Sequence, residues 1–118
     1  MSRLPKAELA VVDERKIAEY VLSTGHPFGR AKAAFFRSFG FRLTAWEGLK
    51  AALLRHAQEN EVTGSEETPF GTKYVIDGPL HAPDGRRPMI RTVWFVETGE
   101  EGLRFVTTYP LKGKGGAP

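Results

Sequence analysis

Apolar residues recur at helical spacing through the first half of the chain and alternate like strand positions through the second, with a polar stretch between. Asp13 opens the first helical pattern as a cap. Ile17 and Val21 then share a face with Tyr20 beside them, which predicts a helix to about Leu22, where Ser23-Thr24-Gly25 stops it. A turn built from Gly25, Pro27 and Gly29 leads into a second helix over about Arg30 to Phe39, with Phe35 and Phe39 on one stripe, Phe36 adjacent and Gly40 as C-terminal cap. Thr44-Ala45-Trp46-Glu47 is a capping box. Trp46, Leu49, Leu53 and Ala57 give a third helix its apolar stripe, to about Asn60. Glu61 to Gly71 mixes acids, Gly, Ser and Pro without periodicity and reads as a solvated connection.

Beyond Gly71 the composition shifts to Val, Ile, Thr, Tyr, Phe and Trp. Lys73 to Leu80, Pro88 to Val96 and Leu103 to Tyr109 are predicted strands, joined by Pro83-Asp84-Gly85 and by Thr98 to Gly102. Connections this short imply an antiparallel meander, with Pro79 tolerated at a strand end or edge. The order, helices first and strands after, predicts an α+β fold: three N-terminal helices packed on one face of a small antiparallel sheet of three to four strands. One domain is expected over residues 1–111, with a flexible basic tail over 112–118. The expected core holds Phe35, Phe39, Trp46, Leu49, Leu53, Val75, Val93 and Phe105.

Composition narrows the chemistry. The chain of 118 residues suffices for one core, and its formal net charge of +3 permits polyanionic or acidic partners. With no cysteine and three scattered histidines there is no thiolate site and no familiar metal spacing, so a mechanism without metal or cofactor is expected. No apolar run is long enough for a bilayer and the N-terminus lacks signal-peptide order, so a cytoplasmic protein with no membrane partner is expected.

Charge placement is more telling. Between Tyr20 and Trp46 there is no Asp or Glu, while Arg30, Lys32, Arg37 and Arg42 all fall in that interval. His26-Pro27-Phe28-Gly29-Arg30-Ala31-Lys32 sets an imidazole and two cations at the start of the second helix, where unpaired N–H groups and the helix dipole favour an anion. Singly, Arg30 and Lys32 read as a solvated helix face; together they read as an anion site. Arg91 stands mid-strand on a face with Val93 and Phe95, where a charge calls for a partner or ligand. Thr107 and Tyr109 are placed by strict alternation on one face with Leu103 and Phe105. Trp94 offers a stacking surface for a base, although an indole on a strand is more often core. His56 is read as complementing the third helix's C-terminus and His81 as a loop residue. The acids Glu59, Glu61, Glu66 and Glu67 fit no cation loop and read as a solvated run.

Several of these segments also carry a resemblance. Tyr20-Val21-Leu22, His26 to Ala33, Phe39-Gly40-Phe41, Gly71 to Asp77, Gly78-Pro79-Leu80, Arg91-Thr92-Val93-Trp94 and Val106 to Pro110 together resemble a bacterial domain family of uncharacterised function. The match runs over about residues 16 to 111. In element order such domains are similar to the helix-first α+β toxin RNases grouped with barnase, EndoU, colicin and RelE, found in toxin and immunity-type systems. The resemblance implies residue types only: a histidine and a lysine near the helical half, and a threonine or aromatic on the sheet. Here these are His26, Lys32, Thr107 and Tyr109.

Metal-free RNA cleavage needs a base for the 2′-OH proton, donors for the charged phosphorane and an acid for the leaving 5′-oxygen. His26 titrates in the right range for base or acid, with Lys32 and Thr107 completing the catalytic set. Arg30 and Arg91 would hold phosphate, and Tyr109 and Trp94 would contact the substrate. The expected function is a ribonuclease toxin, with RNA as substrate and a small acidic antitoxin or immunity protein as partner. A nucleic-acid-binding module without chemistry, and an interaction domain using Arg86, Arg87, Arg91 and the acid-free helix region against an acidic partner, are the alternatives.

Overall fold

The computed structural model describes residues 10–13, 15, 30–42, 46–100 and 102–111, with Arg30, Ala31 and Lys32 described by backbone alone. Among these residues the element order is α1 (Arg30–Ser38), α2 (Trp46–Glu59), β1 (Val62–Thr68), β2 (Gly71–Pro79), β3 (Met89–Glu97) and β4 (Arg104–Pro110). The sequence predicted three helices; two are present among the described residues. The expected helix from Asp13 to Leu22 lies almost wholly outside them, although Asp13 Oδ1 does accept the Arg15 N–H at 2.9 Å, as a cap would. Thr44 of the capping box and the tail also lie outside.

α2 forms where its stripe requires. Leu49, Ala52, Leu53, His56 and Ala57 are all buried, and Arg55 bonds Glu59 one turn on, at 2.8 Å, along the exposed side. α1 ends in a Schellman motif. The Phe41 N–H returns to the Phe36 carbonyl at 3.3 Å and the Gly40 N–H to the Arg37 carbonyl at 3.0 Å, with Gly40 at φ 104° and the Phe36 and Phe41 rings 6.2 Å apart. A glycine is needed there because its φ is left-handed and a Cβ would lie 3.2 Å from Pro83 Cβ. The β2–β3 connection docks on this helix end: Asp84 N–H reaches the Phe39 carbonyl at 3.3 Å and Arg86 Nη2 donates to the Ser38 carbonyl at 2.8 Å. A guanidinium at the C-terminus complements the helix dipole.

The sheet is a four-stranded antiparallel meander in the order β1-β2-β3-β4. Its near face, toward the helices, carries Ile76, Ile90, Trp94 and Phe105, packed with Phe36, Leu49 and Leu53. Phe36, not Phe35 or Phe39, is the fully buried residue of α1; Phe35, Phe39 and Trp46 pack at the margin. Register puts Val75 opposite Val93 on the far face, so neither joins that core cluster, although Val93 is 7% exposed.

The segment read as a connection is strand β1. Val-Thr-Gly-Ser-Glu-Glu-Thr has no apolar alternation, because an edge strand needs only backbone pairing and one anchor. That anchor is Val62, which packs against the core. A register shift between Val62 and Gly64 and the exposed Glu66 and Glu67 blunt this edge against pairing with other chains. A second register shift changes the site. Val93 pairs with Thr107 but Trp94 pairs with Phe105, so Val106 is the extra residue of a bulge. Phe105 therefore faces the core while Thr107 and Tyr109 face away from it, correcting the alternation that put them on one side.

Candidate functional site

Register places Asp77, Arg91 and Tyr109 directly opposite one another across β2, β3 and β4. Arg91 Nε donates to Asp77 Oδ1 at 2.7 Å and Nη2 to Oδ2 at 2.9 Å, the fork geometry that fixes a guanidinium plane. Its Cζ stands 5.9 Å from the Tyr109 ring centroid. The hydrogen bond to Asp77 first, and that to Tyr109 second, push the Arg91 pKa further up, so the cation is permanent. Asp77 takes two of the five guanidinium N–H groups. The row is accessible from solvent: the Arg91 side chain is 37% exposed and Tyr109 38%. Thr107, opposite Val93, stands one step along the same face.

Three of the predicted site residues, Arg91, Thr107 and Tyr109, thus share the far face. Arg30 and Lys32 occupy the first turn of α1, which packs by Ala33 and Phe36 on the near side; α1 lies against β4, the strand that carries Thr107 and Tyr109. His26 lies outside the described residues. Arg37 and Arg42 of the acid-free interval are exposed. Trp94 is not available to stack on a base: it is fully buried, its ring edge-on to Phe105 at 5.5 Å. Inward positions of β3 alternate, and Trp94 falls among them.

The sequence reading missed a buried polar chain. Trp94 Nε1–H donates to Thr92 Oγ1 at 2.9 Å, the Thr92 hydroxyl donates to His56 Nδ1 at 3.1 Å, and His56 Nε2–H donates to the Gly78 carbonyl at 3.2 Å. The carbonyl only accepts, which fixes the proton on Nε2 and leaves Nδ1 to accept. His56 is 1% exposed, and burial holds its pKa below the ordinary 6.5, opposed by the Gly78 and Ile90 carbonyls and the Asp77 charge. His56 is therefore a core residue, not a helix-end counter-ion. Its place seven residues after Leu49 and three after Leu53, on the apolar stripe, was the available signal.

His81, in the β2–β3 connection, meets Glu59 at 3.1 Å. The Arg55 hydrogen bond, then burial in opposition, then the Arg55 charge and His81, set the Glu59 carboxyl below its usual range. Among the described residues no group of three or more His, Asp or Glu side chains is close enough to hold a metal ion. No described helix is long and apolar enough to cross a membrane.

A family model, DUF6883, described as a domain of unknown function, matches residues 3–112. The chain belongs to that family. Among solved structures it is similar to a chain of a contact-dependent growth inhibition toxin–immunity protein complex from Klebsiella pneumoniae 342. The TM-score is 0.67 at 17% identity, covering 86% of this chain and 99% of that one. At that identity the likeness is one of fold. A comparison with curated proteins returns no match. For a DUF6883 chain the site must accordingly be argued from its own side chains, and the Asp77–Arg91–Tyr109 row is an ordered polar constellation that solvent reaches on the sheet face.

Proposed function

We propose that this chain is a metal-independent ribonuclease acting as the toxin of a toxin–antitoxin or toxin–immunity pair. The observation that carries the reading is Arg91, locked by Asp77 and flanked by Thr107 and Tyr109 on a solvent-reached sheet face. A guanidinium already oriented when the substrate arrives loses little freedom on meeting a phosphate, the requirement for stabilising charge that develops in a transition state. In this reading His26 takes the 2′-OH proton and returns one to the leaving 5′-oxygen, Lys32 and Arg30 hold the scissile phosphate, and Thr107 supplies a hydroxyl donor to the phosphorane. Tyr109 contacts the substrate beside Arg91. Trp94 has no part in it. The fold likeness to a chain of a toxin–immunity complex supports the toxin role and an immunity protein as partner.

The same likeness, being to one chain of a two-part complex, also fits a domain whose business is capture of an acidic partner through its exposed cations. The discriminating experiment is cleavage of labelled single-stranded RNA in EDTA, between about pH 5 and 9, by the wild type, His26→Ala and Arg91→Ala. Products with 2′,3′-cyclic phosphate ends, lost in His26→Ala, support the ribonuclease. Intact RNA with the wild type removes the enzyme and leaves partner capture.

A further inference from the structure

Four residues along β3 from Arg91, on the same far face, stands Phe95, which the sequence reading used only as a neighbour of Arg91. At about 3.4 Å per residue the two side chains are rooted roughly 14 Å apart. Phe95 is half-buried and its ring leans over Gly71 of β2: a Cβ at Gly71 would clash first with the Val96 carbonyl oxygen and would stand 2.7 Å from Phe95 Cζ, so the glycine leaves room for both. From the other side, β4 brings Arg104 with its Cζ 5.9 Å from the ring centroid. Beside this pair lies a pocket of about 580 Å³ lined by Val11, Asp13, Phe95, Arg104, Phe105 and Val106.

We propose that this pocket is a nucleobase subsite, in which an unpaired base of the RNA stacks on Phe95 while Arg91 holds a phosphate further along the strand. The proposal rests on the ribonuclease reading for the identity of the ligand. Three features select a base over other apolar groups. The platform is aromatic, and a planar guanidinium stands beside it, the pairing that flat π-systems favour. Arg104 is held by Glu97 at 2.8 Å, but the two side chains are 61% and 50% exposed; such a pair contributes little and exchanges readily for a phosphate or a stacked base. Asp13 closes the wall with a carboxylate that can accept N–H groups of a base edge. The competing role for Phe95, covering a strand glycine for stability alone, predicts a fold defect with no effect on RNA.

The test uses the full chain with two probes: a dye-labelled all-deoxy oligonucleotide of about eight nucleotides, which lacks the 2′-OH needed for cleavage, and the matching RNA. Phe95→Ala is expected to weaken oligonucleotide binding roughly 5- to 150-fold and to raise KM for RNA more than it lowers kcat, while Phe95→Tyr restores both. Arg104→Ala, at an exposed position that cannot threaten the fold, is expected to weaken binding about threefold or more. Unchanged binding and KM in Phe95→Ala and Arg104→Ala, or no oligonucleotide binding by the wild type, overturns the subsite. Binding that depends on Phe95 in a wild type that leaves RNA intact upholds the subsite and overturns the ribonuclease. Cleavage that ignores Phe95 and Arg104 does the reverse.

Discussion

The two faces of the sheet use the same polar vocabulary to opposite ends. On the near face Trp94, Thr92 and His56 pass hydrogen bonds in one direction to the Gly78 carbonyl, fully enclosed. On the far face, one register position away, Asp77, Arg91 and Tyr109 form a row that is equally ordered yet reached by water. The strands join the two, since the Thr108 hydroxyl donates to the Arg91 carbonyl at 2.7 Å. Enclosure turns polar groups into stability, because each lost partner leaves a donor or acceptor dry. Exposure leaves them able to change partners, which is what binding and chemistry require.

The sharpest way to break this contrast is at His56. His56→Ala strands the Thr92 hydroxyl and the Gly78 carbonyl and opens a cavity, and it is expected to lower the unfolding free energy by about 3 kcal/mol, read by urea denaturation. RNA cleavage by the folded fraction should persist. The pH dependence of the wild type belongs to the same group. Because the folded-state pKa of His56 lies below 6.5, the unfolded chain takes up the proton first. Stability contributed by the neutral imidazole is full above about pH 6.5, falls as pH drops toward the folded pKa and then levels off. Melting temperatures taken stepwise from pH 7.5 downward check this, and a flat profile through that window would count against the buried neutral histidine.

Arg91→Ala should give the mirror image: roughly 100-fold loss of cleavage with less than about 1 kcal/mol of stability lost, since the pair it leaves is partly solvated. Should stability fall by several kcal/mol instead, the far-face row is a structural brace and the contrast fails. Gly40→Ala touches neither face. Its left-handed φ and the nearby Pro83 predict a loss of about 1–2 kcal/mol by denaturant titration. Phe70, at the tip of the β1–β2 hairpin and 77% exposed, is expected to accept Ser within about 0.5 kcal/mol.

What the sequence disclosed follows the same division. α2, strands β2 to β4 and the Gly40 cap were legible because burial on one side imprints a period on the residues, and a left-handed turn demands glycine. β1 left no imprint, because beyond its single apolar anchor, Val62, this strand of Thr, Ser, Gly and Glu is held mainly by backbone pairing with β2. His56 was overlooked because an imidazole is read as chemistry or charge before it is read as core, although its helical position announced burial. Arg91 stood out as a mid-strand charge in need of a partner or ligand; that Asp77 is the partner depended on register, which brings together residues fourteen positions apart. The gathering of Arg91, Thr107 and Tyr109 on one side was not legible, since a single inserted residue decided it.

That inserted residue, Val106, has a consequence for how such a domain can diverge. Because the bulge adds a residue without adding a pair, both the identity and the presence of residue 106 are open to drift. Loss of Val106 would restore strict alternation with Phe105 still inward opposite Trp94, and Thr107 and Tyr109 still outward opposite Val93 and Arg91. A change of length at the bulge should therefore be absorbed, while one residue gained or lost between Thr107 and Tyr109 would set those two side chains on opposite faces and dissolve the row in a single step.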